Sequence, residues 1–463
     1  MSLRNQIIRG GTTLIFRQGA GTFLSVVSVL FVTRIIGPGN YGVFSAALGI
    51  ENLLYSIGQL GIGVYLIRSE NDLKENFDQA FSLLVILATI GLLISVSFLP
   101  LLDRWLRMEG FKEAAVVLFF GVPFRLLTLV PLARLEKSLA YGKVASIELI
   151  GQVMYILVAT TLALLKLGVL APVIGWISQN TVVCVLSFVR CGYTPKFIWR
   201  AYIIRSILNY SLGYSLSTWI WQLRTLVNPL VVGRFVGAEG VGIVALSIRL
   251  VEVLSFAKNA TYRLSLSALA KLQNDKKLLL KAIEEGIQIQ VLLVGPFLLG
   301  MAVIGSFLLP QILGERWSNV VHIFPFIAFS YTVNSLFNLY SSALYVLRHN
   351  WIVALFHLIH IILFFGASFV FVPYFGVYGY GWAEVVGFIA YFYLHWYFVR
   401  RMGKLKIGLG VLLGMSFGVS YFWAQLGWIA ALPLLLVFML PMTRQMLQQN
   451  WRILKAAGLW KIH

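Results

Sequence analysis

Four arginines, Arg17, Arg125, Arg224 and Arg249, lie inside stretches that are otherwise almost wholly apolar. A cation in such surroundings is costly, by about 2.5–3.5 kcal/mol or more at a bilayer centre, and persists where a water-filled cavity or a partner receives it. Guanidinium presents a planar fork of donors that matches phosphate oxygens. The chemistry these residue types predict is non-covalent capture of an anionic, phosphate-bearing ligand. Arg249 has a second reading, an ion pair with Glu252 one helical turn on. Four acids accompany them, Glu51, Glu148, Glu252 and Glu384. Glu51 and Glu252 stand at nearly matching places in the two halves of the chain. A carboxylate in lipid can bind Na⁺ or take a proton, and it can equally neutralise an arginine. Both readings stay open for this pair. His322, His357, His360 and His395 sit among aromatic neighbours and read as packing residues; no Cys, Asp or Glu completes a metal set around them.

A third constellation is Ser211, Ser215, Ser217, Thr218, Trp219, Trp221 and Gln222. Trp219, Trp221 and Gln222 could line a cavity for a sugar, with aromatic faces against the rings. The serines and threonine serve equally well as ordinary interhelical hydrogen-bonding groups. There is no GxxxxGK[ST] motif for an ATP-driven engine. No cofactor is implied, and the chain reads as a transporter and not an enzyme. Movement of a ligand would draw on ion gradients, the membrane potential or the ligand gradient.

The elements that must position these residues are membrane helices. The chain has 463 residues, 59% of them hydrophobic and 12% charged. Continuous apolar stretches of the length that crosses a core of about 30 Å recur throughout. They predict an all-α polytopic membrane protein with about fourteen transmembrane helices, at 11–36, 41–67, 79–102, 114–135, 144–166, 168–190, 207–233, 239–263, 285–309, 320–346, 351–373, 376–399, 407–425 and 427–446. A net charge of +20 would suggest nucleic acid in a soluble protein. Here the charge concentrates in alternate connections: Arg68 and Lys74; Arg134, Lys137 and Lys143; Arg190, Lys196, Arg200 and Arg205; Lys271, Lys276, Lys277 and Lys281; Arg400, Arg401, Lys404 and Lys406. The positive-inside rule accounts for them and puts both termini in the cytoplasm, the first span acting as an uncleaved signal anchor. Membrane lipids are then partners and nucleic acid is not. Cys184 and Cys191 read as packing residues.

One short motif is written twice, 200 positions apart by numbering. Arg34-Ile35-Ile36-Gly37-Pro38-Gly39-Asn40-Tyr41-Gly42 is matched by Arg234-Phe235-Val236-Gly237-Ala238-Glu239-Gly240-Val241-Gly242. A second echo joins Gly168-Val169 through Gly175-Trp176 to Gly376-Val377 through Gly381-Trp382. Self-similarity of this kind predicts two parallel six-helix repeats, as in duplicated transporters. The division is then 1–192 for a first lobe, 193–206 for a cytoplasmic linker, 207–403 for a second lobe, and 404–463 for two further spans and a basic tail. Within the linker, Pro195 to Arg205 mixes basic and aromatic residues and reads as an amphipathic interfacial helix or as a plain basic connection. Arg17 and Arg224 sit in matching spans, seven residues or two helical turns out of register, so they share a face at different depths.

The motif at Arg34–Gly42 resembles the first-hairpin signature of Wzx-type polysaccharide flippases in the multidrug/oligosaccharidyl-lipid/polysaccharide superfamily. Leu60-Gly61-Ile62-Gly63 with Leu66-Ile67-Arg68 is similar to their end of span 2, and Arg134 to Lys143 followed by Ile147-Glu148-Leu149 is similar to their loop before span 5. The resemblance implies a V-shaped two-lobe fold, alternating access, and a polyprenyl-pyrophosphate-linked oligosaccharide carried across a bacterial inner membrane for O-antigen or exopolysaccharide synthesis. Polysaccharide polymerase and export proteins would be its partners. The alternatives are an ion-coupled multidrug exporter of the same superfamily, whose cavities are typically acidic, and a membrane polysaccharide polymerase or ligase, which needs a larger outer loop than this chain offers.

Loop charge makes one direct prediction. A single cysteine at position 275, between Lys271 and Lys276, should resist an impermeant thiol reagent in intact cells and react after permeabilisation. Labelling in intact cells would reverse the topology.

Overall fold

One residue sets the first break in the chain. In the computed structural model, Leu3–Gln59 (α1) is helical except at Gly37, where φ is 78° and ψ 169°. Glycine adopts that conformation without a Cβ penalty. Pro38 then starts a fresh segment, 38–59, with φ preset and no N–H to lose. The Asn40 amide donates to the Ile36 carbonyl at 2.8 Å, satisfying one of the acceptors a helix end leaves open. The structure describes the backbone of residues 3–68, 74–255, 258 and 269–456, and within these the side chains from residue 28 onward except 210, 213, 214, 216, 217 and 449–456.

After a 40° bend at Leu60 and Gly61 comes α2 (Ile62–Arg68). Four long helices follow through short connections: α3 (Lys74–Leu106), α4 (Phe111–Lys137), α5 (Tyr141–Leu164) and α6 (Leu170–Cys191). These match the spans predicted from apolar length. α7 (Ala201–Leu223) runs into a 3₁₀ turn at Arg224–Leu226 and a π-helical turn at Asn228–Val232. Pro229 lacks the N–H that a regular helix would use there. The remaining helices are α8 (Gly237–Leu254), α9 (Lys276–Leu313), α10 (Asn319–Val346), α11 (Asn350–Phe375), α12 (Val377–Gly387), α13 (Ile389–Met402), α14 (Gly408–Ser420), α15 (Leu432–Met439) and α16 (Pro441–Ala456). Among the described residues there is no strand.

Two points add to the reading from sequence. Seven of the described helices are long and apolar enough to cross a bilayer alone, and two bent pairs bring the number to nine. The stretch predicted as span 427–446 is divided among a 3₁₀ turn at Gly427–Ala431, the eight-residue α15 and the start of α16. Gly408–Ser420 and Trp423–Met439 reach spanning length as one pair, bent by 60° at the break between them. The second point concerns the linker. Residues 193–200 are not helical, and α7 starts only at Ala201. They form an extended strap whose backbone amides are taken by side chains of α3. Asp78 accepts from the Tyr193 hydroxyl at 2.6 Å and the Lys196 amide at 3.1 Å. Ser82 accepts from Ile198 N–H at 2.9 Å, and Gln79 from Arg200 N–H at 2.8 Å. A helix would need those alternate amides for itself. Burial, and then the neighbouring Asp78, push the Tyr193 hydroxyl pKa well above its ordinary value, so it stays a donor.

Contacts divide the chain into two compact units, residues 1–245 with 364–380, and residues 246–363 with 381–463. The first therefore runs past the predicted linker and takes in α7. Three contacts tie α7 and its continuation to segment 38–59 in antiparallel register. Trp219 donates to the Ser56 carbonyl at 2.8 Å. Pro229 lies 3.4 Å from a Cβ built on Gly49. A Cβ on Gly42 would sit 1.7 Å from the Ala238 carbonyl oxygen. The core beneath joins Leu60, Ile62 and Leu66 to Phe77, Leu84, Leu126, Val130, Ile203 and Ile207. In the second unit, α10 is the central post. Its Ser330 donates to Glu384 of α12 at 2.8 Å, Thr332 shares a 2.8 Å hydrogen bond with Tyr421, and Asn334 donates to Tyr391 of α13 at 3.0 Å.

The duplicated motif packs on itself. A Cβ on Gly42 meets Ala238 O at 1.7 Å, and a Cβ on Gly242 meets Pro38 O at 2.1 Å. The two contacts are the same contact with the copies exchanged. The turns repeat as well. Left-handed φ recurs at Gly37 (78°) and Gly237 (83°), Gly110 (77°) and Gly314 (93°), Leu139 (58°) and Arg348 (63°), Gly168 (56°) and Gly376 (58°), and Gly192 (61°) and Gly403 (94°).

Gly42→Ala and Gly242→Ala should therefore each lower stability by about 1–3 kcal/mol, since the clashing atoms are backbone and cannot rotate away. Gly39→Ala meets nothing within 4 Å and should be neutral. The thermal midpoint of the purified protein measures all three; equal midpoints for Gly42→Ala and Gly39→Ala would refute the close approach.

Candidate anion-binding site

Arg125 lies near the middle of the 27-residue α4, which places it close to the bilayer midplane. Its Nη1 donates to Glu51 Oε2 at 2.6 Å and to Asn52 Oδ1 at 3.0 Å. The guanidinium carbon stands 3.8 Å from the Tyr55 ring centroid and 5.6 Å from that of Trp176. Glu51, Asn52 and Tyr55 share one face of segment 38–59, and α6 supplies Trp176. Glu51 is fully buried, whereas the Arg125 side chain keeps 22% of its surface. Among the described residues only one of the three guanidinium nitrogens is engaged. Nε and Nη2 remain to receive an acceptor from the exposed side. Glu51 Oε1 is buried without a hydrogen-bond partner.

Arg224 belongs to the same unit. The antiparallel register fixes its height: Trp219 pairs with Ser56, and Thr225 and Pro229 approach Gly49. Arg224 is thus level with Glu51 and Arg125. Its guanidinium carbon lies 5.4 Å from the ring centroids of both Trp221 and Phe364. Such flanking rings favour a cation electrostatically. The 3₁₀ and π-helical turns that follow α7 begin at this residue, and irregular turns of this kind occur often at functional sites.

The predicted residues are divided between the two units. Arg249 lies in the second unit, 3.8 Å from Glu252 Oε2. Tyr331 donates to Glu252 Oε1 at 3.3 Å, and Lys258 Nζ stands 4.7 Å from the Tyr331 ring centroid. Glu51 and Glu252 both contact an arginine and reach across to the long helices α4 and α10 respectively. The Arg17 side chain and Ser217 lie outside the described side chains. Trp219 is turned onto Ser56 and packs against the first unit's core. Gln222 donates to Thr225 Oγ1 at 3.2 Å. Among the described residues no cluster of three metal-ligating side chains occurs.

Sequence reasoning missed three neighbours of Arg125. Tyr55 follows Glu51 by four positions and Asn52 by three, so its place beside them was available as a signal. Trp176 was not, because it arrives from a helix far along the chain. It also missed Asp78, Gln79 and Ser82, whose partners come from the strap more than a hundred residues away.

Comparison with known proteins adds a family. The family described as "Polysaccharide biosynthesis protein" matches residues 31–322. The succinoglycan biosynthesis transport protein ExoT of Rhizobium meliloti is 21% identical over 64% of this chain and 61% of its own length. The lipopolysaccharide biosynthesis protein WzxC of Escherichia coli is 23% identical over 70% of this chain and 66% of its own length. The chain thus matches somewhat less than two thirds of each of these relatives. The solved structure of lipid II flippase MurJ in an inward closed conformation superposes with a TM-score of 0.71, at 14% identity, over 95% of this chain and 99% of that one. That likeness is one of fold.

The Arg125–Glu51 pair gives a stability prediction. Glu51→Leu or Arg125→Leu alone strands the other charge, costing about 3–5 kcal/mol for a buried pair. The double variant should regain most of the loss. Thermal midpoints of the three variants form the cycle, and additive losses would show that the two residues do not interact.

Proposed function

The chain belongs to the polysaccharide biosynthesis protein family, and from that footing we propose that it carries a polyprenyl-pyrophosphate-linked oligosaccharide across the bacterial inner membrane by alternating access. The observation that carries this reading is Arg125, near mid-bilayer depth with two uncommitted guanidinium nitrogens, and Arg224 at its level in the same unit. Two guanidinium forks suit two linked phosphates. Glu51 supplies the countercharge when the site is empty. An arriving pyrophosphate takes the remaining donors of Arg125 and competes with Glu51 for the first. Glu51, once relieved of its cation, and Glu252 are the carboxylates assigned to take a coupling ion. Trp221 and Gln222 form the wall offered to the glycan; Trp219, held at Ser56, adds a ring face. Arg17 and Arg249 are proposed as further anion ligands, each within its own unit.

The architecture proposed with it has fourteen spans, two parallel six-span repeats and two C-terminal spans, both termini being cytoplasmic. The recurring left-handed turns and the reciprocal Gly42 and Gly242 contacts support the repeat. Polysaccharide polymerase and export proteins are the proposed partners.

The test is a cell lacking its own oligosaccharide flippase, supplied with this gene and a matching glycan pathway. Surface polysaccharide should return. Arg125→Ala and Arg224→Ala should abolish or sharply reduce it, and purified variants should bind a polyprenyl pyrophosphate about 10- to 150-fold more weakly, as loss of a charge-assisted bond of about 1.5–3 kcal/mol requires. Arg→Lys should recover part. Glu51→Gln should stop net export and spare binding. No restoration, with new resistance to cationic dyes, would favour the multidrug-exporter reading.

A further inference from the structure

The strap that joins α6 to α7 has two unlike sides. Its inner side is fixed by α3: Lys196, Ile198 and Arg200 each give a backbone amide to Asp78, Ser82 or Gln79. Those acceptors all lie in the first nine residues of α3, so the strap runs along about the first 12 Å of that helix. It leaves α6 at Cys191 and enters α7 at Ala201, and therefore lies at the ends of the spanning helices. Its outer side is apolar and basic. Phe197 is 64% exposed, Trp199 48% and Tyr202 68%. Lys196, Arg200 and Arg205 are exposed beside them. Residues 193–205 contain no acid; of the acids on α3, Glu75 holds Arg200 at 2.7 Å and Asp78 is buried.

We propose that residues 196–205 form a binding site for anionic phospholipid headgroups. Aromatic rings with a polar edge settle at headgroup depth, and that is the depth at which the strap sits. Lys196 and Arg205 supply the charge that selects an anionic headgroup from a zwitterionic one, each cation near such a surface favouring it by a factor of about five. The hydrogen bonds to α3 hold the strap in place, so the rings and cations are presented without a folding step. The inference is independent of the cargo.

The experiment uses the full chain in nanodiscs of mixed phosphatidylcholine and phosphatidylglycerol, with benzoylphenylalanine at position 197 or 199. After irradiation, mass spectrometry should find phospholipid adducts at both positions, with phosphatidylglycerol enriched over its share of the bilayer. Lys196→Gln and Arg205→Gln should each lower that enrichment by about fivefold and leave the thermal midpoint unchanged, because neither side chain holds the strap to α3. Adducts in proportion to lipid composition in the unsubstituted background would overturn the proposal. So would a protein adduct as the main product in native membranes, which would make the strap a partner's docking surface instead.

Discussion

A bilayer core supplies no hydrogen bonds, so every polar group placed in it must be satisfied by the protein itself. That constraint organises this molecule. Backbone groups are met by helices, and where a helix breaks an exposed group finds a side chain: Asn40 caps the Ile36 carbonyl. The polar side chains left over become the joints between helices. Along α10, Ser330, Thr332 and Asn334 each reach a different neighbour, which fixes its rotation more tightly than apolar contact alone would.

Charge obeys the same constraint with higher stakes. Arg125 and Glu51 neutralise each other, yet the match is incomplete: among the described residues one guanidinium nitrogen is engaged and one carboxylate oxygen has no partner. A pair satisfied on all sides would be a brace. One with open valences on a partly exposed arginine can exchange partners. The two aromatic faces around Arg125 keep its charge tolerable while it does so.

Close packing of backbone is the other structural resource. At Gly42 and Gly242 the chain approaches itself more nearly than any Cβ allows. The missing side chains let helix starts from distant parts of the sequence touch, and dispersion with small residues does in lipid what the hydrophobic effect does in water. The same approach carries α7 into the first unit, together with Trp219 and Pro229.

The sequence by itself determined the class of molecule, most helix positions and the turns. Apolar length dictates spanning helices because lipid admits few alternatives, and Gly37, Gly168, Gly237 and Gly376 mark turns because only glycine adopts positive φ freely. It also pointed to the arginines and acids, since a charge in an apolar run is conspicuous at any distance. What it could not decide was pairing. Arg125 could have met Glu51, another acid or water, and the answer depends on helices 74 residues apart meeting at one height. The strap stayed open between two readings for a related reason: helix propensity is local, whereas the acceptors that hold residues 193–200 sit on α3, about 120 positions earlier. The division into units is likewise a matter of packing: Trp219 of α7 meets Ser56, and Pro229 just beyond it approaches Gly49. Periodicity and composition report what each segment buries; only the tertiary structure decides against what.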